Sequence, residues 1–113
     1  MATPTVNNPI RESTATKGAS KLRALGDEAR LSVLIALLRN GPQCVSKLQE
    51  VLGMEQSLLS HHLRSLRMLG LVNGDRQGRQ VIYSPADSIS IEKDTNTIHL
   101  GCCSLVIPKS SLF

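Results

Sequence analysis

The chain has 113 residues, room for one small domain with little to spare, and 41% of them are hydrophobic, enough for a modest core. Aromatic residues make up only 2%, Tyr83 and Phe113, which argues against RNA-recognition sheets and single-strand binders, because both stack bases on aromatic platforms. A formal net charge of +4 favours a polyanionic partner, while three cysteines, an odd number, do not make a secreted disulfide framework.

Residues 1–16 carry two prolines and several threonines without an apolar period, and read as a mobile arm. They also lack the apolar core of a signal peptide. The longest apolar run, Val33 to Leu38, is too short to span a bilayer, so the expectation is a cytoplasmic protein with no membrane partner. A first helix is expected over Lys17 to Leu25, ended by Gly26. Asp27 then fits an N-cap, with Glu28 in the first turn where the helix dipole favours an acid. The helix it opens runs to Arg39. Its apolar residues wrap most of the circumference, which marks it as the central buried helix, and Asn40-Gly41-Pro42 stops it.

A shorter helix is expected from Val45 to Leu52, with Ser46 and Gln49 forming a capping-box pattern. Residues Gly53 to Gln56 turn the chain into the stretch E-Q-S-L-L-S-H-H-L-R-S-L-R-M-L-G-L-V, Glu55 to Val72. Drawn as a helix, it gathers Leu59, Leu63 and Leu66 on one side, with Leu58 and Leu69 at the margin. Ser57, Ser60, His61 and Arg64 share the other side, a row of donors and acceptors suited to base edges and phosphate oxygens. His62 falls among the leucines and reads as a packed histidine rather than a contact. Met54 and Met68 read as core or interface filler.

Leu71 to Asp75 and Gln80 to Ser84 read as two strands joined by the basic tip Arg76-Gln77-Gly78-Arg79. Helix, turn, helix and a two-stranded wing is the winged-helix order, so the fold class is mostly α with a small β wing (α+β), a winged helix-turn-helix. Arg64, Arg67, Arg76 and Arg79 cluster on the reading helix and wing, opposed there only by Glu55 and Asp75. Lys47 either reaches a phosphate or is simply solvated. Duplex DNA is therefore the expected partner.

After Pro85-Ala86-Asp87 the pattern changes, and T-I-H-L-G-C-C-S-L-V-I-P, Thr97 to Pro108, is β-branched and short-period. It reads as one or two strands, not a helix. Cys102 and Cys103 are adjacent, so a disulfide between them would be strained and easily reduced, better matched to a switch than a staple. Alternatively both thiolates hold a soft ion, As(III), Sb(III) or a divalent metal, with Cys44, His99 or a partner subunit supplying a third ligand. In a regular strand His99 shares a side with Cys103, and Gly101 would allow a bulge. Simple packing is the third reading of these thiols.

A-L-G-D-E-A-R-L-S-V-L-I-A-L-L at Ala24 to Leu38, Q-C-V-S-K-L at Gln43 to Leu48, S-H-H-L-R-S-L-R at Ser60 to Arg67, and G-L-V with G-R-Q-V-I-Y from Gly70 to Tyr83 together resemble the ArsR/SmtB family of bacterial repressors. The resemblance implies a winged-helix homodimer that sits on promoter DNA and is released by an inducer, often a metal or metalloid ion. It implies base and phosphate contacts for Gln56, Ser57, Ser60, His61 and Arg64, and backbone or minor-groove contacts for Arg76 and Arg79. Two departures stand out. The family's C-V-C site reads Cys44-Val45-Ser46, and a strand-like tail replaces the family's long last helix.

The expected organisation is an arm over 1–16, a winged-helix domain over 17–86 and a dimerisation and sensor tail over 87–113. The function expected is repression by a homodimer on an inverted repeat, relieved by thiol chemistry at Cys102 and Cys103 and needing no resident cofactor. The rival is a protein-interaction module that pairs through its C-terminal strands. An enzyme is disfavoured, since no Cys/His/Asp arrangement or phosphate-cradling glycine loop is apparent.

Overall fold

The computed structural model describes residues 14–107. Four helices come first, α1 (Thr14–Leu25), α2 (Glu28–Asn40), α3 (Val45–Leu52) and α4 (Gln56–Met68), with a two-residue strand β1 (Gln43–Cys44) ahead of α3. Strands β2 (Val72–Gln77) and β3 (Gln80–Pro85) follow, then β4 (Ser90–Glu92), β5 (Thr97–His99) and β6 (Ser104–Val106). This is the winged helix-turn-helix, and no described helix is long and apolar enough to cross a membrane.

The expected capping of α2 is present: the Asp27 carboxylate accepts from the Arg30 backbone N–H at 3.0 Å, and that bond holds its pKa below the ordinary value. Gly41, at φ +84°, ends the helix by donating its N–H to Leu37 O. Between these stops Val33, Leu34, Ile35, Ala36 and Leu37 are all buried. They pack with Leu48, Leu59, Leu63, Leu66, Leu71 and Val72 in one core. Ile89, Ile98 and Leu100 of the tail join the same core, so the tail is seated on the domain.

The wing is antiparallel, running in register from Val72 opposite Pro85 to Gln77 opposite Gln80, with Gly78 at φ +65° in the turn. Strand β1 adds to the other edge of β3, pairing Gln43 with Tyr83 and Cys44 with Ile82. The tail is a second antiparallel sheet in the order β4-β5-β6.

Several expectations are corrected. Helix α1 begins at Thr14, not Lys17, so residues 14–16 of the expected arm are helical; residues 1–13 lie outside the described residues, as do Pro108 and Phe113. Ser46 caps nothing. Helix α3 begins at Val45, as expected, but with Cys44 as its N-cap, and the Ser46 hydroxyl turns to the Cys44 sulfur instead. The reading helix stops at Met68, because the Gly70 backbone at φ +74° cannot continue it. Met68 is 80% exposed, which removes the core alternative and leaves that of interface filler, and Leu58, expected at the margin, is exposed as well. Cys102 and Cys103 lie in the turn between β5 and β6, closed by Leu100 N–H donating to Cys103 O at 2.8 Å, so strand alternation does not govern them.

Candidate functional site

The reading helix divides cleanly. Leu59, His62, Leu63 and Leu66 are buried against α2 and the wing, while Gln56, Ser57, Ser60, His61, Arg64 and Arg67 are exposed. Gly53, at φ +65°, caps α3 and donates to Gln49 O at 2.7 Å, which makes the three-residue turn into α4 possible. A buried leucine stripe thus fixes the roll of α4, and the polar row faces out as a consequence.

The Ser57 hydroxyl donates to Glu55 Oε1 at 2.8 Å, and Ser65 Oγ donates back to His61 O at 3.2 Å. Among the described residues Arg64, Arg67, Arg76 and Arg79 make no ion pair, which leaves four exposed guanidinium groups, on α4 and the wing, able to meet phosphates. Arg67 lies across the wing: a Cβ built on Gly74 would meet its Nη1 at 3.4 Å and Tyr83 Cε1 at 3.0 Å. Glycine at position 74 is what lets the guanidinium and the tyrosine ring approach the strand so closely. Lys47 is exposed and sits 3.5 Å from Glu50. His62 is packed, as expected, with burial holding its pKa below the ordinary value and Nδ1 without a hydrogen-bond partner.

The sulfurs of Cys102 and Cys103 are 3.5 Å apart and both half-buried. Gly101 holds φ +86° in the turn, and a Cβ on Gly18 of α1 would lie 3.7 Å from the Cys102 sulfur. Lys21 of α1 donates to Leu100 O at 3.0 Å. Burial, with the Cys102 thiol beside it, pushes the Cys103 pKa up, and the Lys21 ammonium pulls the other way.

The structure does not bring the four expected ligands together. His99 is engaged on the sheet, its Nε2 2.6 Å from Glu92 Oε2 and its Nδ1 2.8 Å from Ser104 Oγ. Cys44 belongs to the winged domain, between β1 and α3. Among the described residues there is no group of three or more His, Cys, Asp or Glu able to hold a metal ion. What the tail offers is a two-sulfur site. Sequence reasoning missed β1 and the contact of Arg67 with the wing; a lone glycine between Asn73 and Asp75 in a strand was the signal for the second.

Residues 27–74 match the family described as bacterial regulatory protein, arsR family. The transcriptional regulator NmtR of Mycobacterium tuberculosis is 51% identical over 80 residues, 71% of this chain and 66% of NmtR. This chain thus spans just under two thirds of that relative's length. HlyU from Vibrio cholerae has a similar structure, with a TM-score of 0.64 at 35% identity over 68% of this chain and 83% of HlyU. The homodimeric winged helix-turn-helix DNA-binding domain Mb0332 from Mycobacterium bovis gives a TM-score of 0.62 at 25% identity, covering 74% of this chain and 76% of that one.

Proposed function

The chain belongs to the ArsR family of bacterial regulatory proteins, and from that premise we propose that it is a cytoplasmic homodimeric repressor of transcription, not an enzyme. Each copy lays α4 in a major groove of operator DNA, the two half-sites lying about one helical turn apart. Gln56, Ser57, Ser60, His61 and Arg64 face bases and phosphates; Arg67, Arg76, Arg79 and Lys47 hold the backbone. The observation that carries this reading is the division of α4, with four buried residues beneath a row of exposed donors. The homodimeric state and DNA-binding role given for Mb0332 support the same arrangement here. Anisotropy titration against the protein's own upstream duplex over a salt series tests it: specific binding that weakens steeply with salt is expected.

Helix α1 and the tail form the dimer surface, a reading supported by exposed Leu22 on α1 and Val106 on β6. Release from DNA comes from thiol chemistry at Cys102 and Cys103, because the two sulfurs sit in the turn that α1 grips through Lys21. Oxidation needs only this pair: a peroxide takes two electrons, the S–S bond forms, and the two thiol protons leave as water with the peroxide oxygens. Arsenite or antimonite ligation would require a third donor from the partner subunit or solvent. A Cys102→Ser, Cys103→Ser protein should stay on the operator when exposed to peroxide and to arsenite. Normal release by that variant would remove the proposed sensor.

One observation favours a second reading. Among the described residues strand β6 pairs only with β5, and Val106 is 73% exposed, a geometry able to pair with a partner's strand. A protein that captured a partner strand and ignored duplex DNA would be such an interaction module.

A further inference from the structure

The vicinal thiols do not stand in neutral surroundings. Helix α1 passes close to them: a Cβ on Gly18 would lie 3.7 Å from the Cys102 sulfur. Lys17 and Lys21, four residues apart and so on one face of α1, line an open groove of about 300 Å³ together with Gly101 and Cys102. No Asp or Glu is among the described residues that line it. The Lys21 ammonium is fixed there, donating to Leu100 O at 3.0 Å, and a Cβ on Gly101 would sit 3.9 Å from its nitrogen. An ammonium has three donors, so two remain for a bound anion. Lys17 is exposed.

Burial, and then the Cys102 thiol beside it, hold Cys103 above its ordinary pKa, against the pull of Lys21. Thiolates, not thiols, are the nucleophiles, so a pair poor in thiolate reacts with whatever reagent is concentrated beside it. Two ammonium groups in the groove that holds Cys102 concentrate anions there. A neutral peroxide gains nothing from them. The Cys103 sulfur stands 3.5 Å from that of Cys102, in place for a second displacement once the first has put a leaving group on Cys102.

We propose, building on the sensing role proposed for the pair, that this groove selects its oxidant: low-molecular-weight disulfides bearing carboxylates dock against Lys17 and Lys21 and are reduced by Cys102 and Cys103. The Cys102 thiolate attacks one sulfur of the small disulfide, whose S–S bond breaks, and one half leaves as a thiolate that takes up the Cys102 proton. The other half remains on Cys102 as a mixed disulfide. The Cys103 thiolate then attacks the Cys102 sulfur, and the second half leaves with the Cys103 proton. The pair loses two electrons, the small disulfide gains two, and it departs as two thiols. Because Lys21 also holds Leu100, an anion drawn onto its ammonium acts on the contact that ties α1 to the turn.

Three disulfides of similar size and different charge, 3,3′-dithiodipropionate, 2-hydroxyethyl disulfide and cystamine, test this on the reduced full chain, with peptide mapping of the cysteines in native and urea-unfolded protein. The unfolded rates correct for each reagent's intrinsic reactivity. Relative to them, native Cys102 should exchange about tenfold faster with the dicarboxylate than with cystamine, the neutral reagent falling between, and about 0.5 M KCl should erase the difference. Lys17→Gln leaves the Lys21–Leu100 bond in place and should lower the preference about fivefold, what an ammonium about 4 Å from a carboxylate contributes in water. Lys93→Gln removes the same charge outside the groove and should leave the preference unchanged. Equal corrected rates for the three reagents, or a preference unmoved by Lys17→Gln or lowered as much by Lys93→Gln, would each overturn it. These rates are read without DNA, so the expected preference in a chain whose oxidation left operator binding intact would sustain the inference and remove the proposed release.

Discussion

The Lys21 ammonium on α1 donates to the carbonyl oxygen of Leu100 at 3.0 Å, across 79 residues of sequence. This bond ties the first helix to the turn that carries Cys102 and Cys103. Lys21→Met keeps the aliphatic stem and removes the donor. It should cost about 1 kcal/mol in urea unfolding, as for a partly exposed hydrogen bond. In the proposed switch it should also blunt the release of DNA on oxidation while the reduced protein still binds. Release as complete as in the unsubstituted protein would show that α1 is not the route.

The exposed row on α4 should separate binding from stability. Arg64→Ala is expected to lose about 1–3 kcal/mol of operator affinity while its urea midpoint stays within error, since the side chain is exposed. Arg76→Ala and Arg79→Ala should weaken all duplexes evenly and lower the slope of log affinity against log salt by about one each. Equal slopes in the variants would take the wing off the phosphates.

Leu63, beneath that row, makes the opposite case. It is fully buried, and Leu63→Ala should cost about 2–5 kcal/mol, a large part of the stability of so small a domain. DNA binding would then fall with the folded fraction measured by circular dichroism. A fully folded Leu63→Ala protein that bound no DNA would contradict the assignment of faces.

His62 sets a pH dependence. Burial holds its imidazole below the ordinary 6.5, with Asp27 opposing the shift and Arg30 and His61 adding to it. Since the unfolded chain takes the proton more readily, the neutral ring's contribution is complete above about pH 6.5 and is lost as pH falls through the lowered folded value. Asp27 is also lowered, but from 3.8, so its window lies at more acid pH. Urea midpoints should drop between pH 7.5 and 5, and His62→Leu should flatten the drop. An unchanged drop would mean that other groups account for it.

Much of this architecture is legible in the residues themselves. Asp27 ahead of an apolar helix, the leucine spacing of α4 and the short period of Thr97 to Val106 each state one local preference strongly enough to survive folding. Thr14-Ala15-Thr16 carries no apolar period, so nothing in it marks the start of α1. Strand β1 has two residues and exists only because β3 offers an edge, a tertiary fact that no periodicity can express. The cysteines are visible as a pair, but their placement in a turn depends on the positive φ at Gly101, and the engagement of His99 depends on Glu92 and Ser104, seven and five residues away and brought beside it by the pairing of β4, β5 and β6.

The most direct test of the account is the mass of the complex formed on the upstream duplex, measured by light scattering after chromatography, before and after peroxide. The reduced protein should elute as two chains per duplex, and the oxidised protein should elute apart from the DNA, with reductant restoring the complex. A monomer that passes the duplex by in dilute buffer, or a complex indifferent to peroxide and arsenite alike, would contradict it.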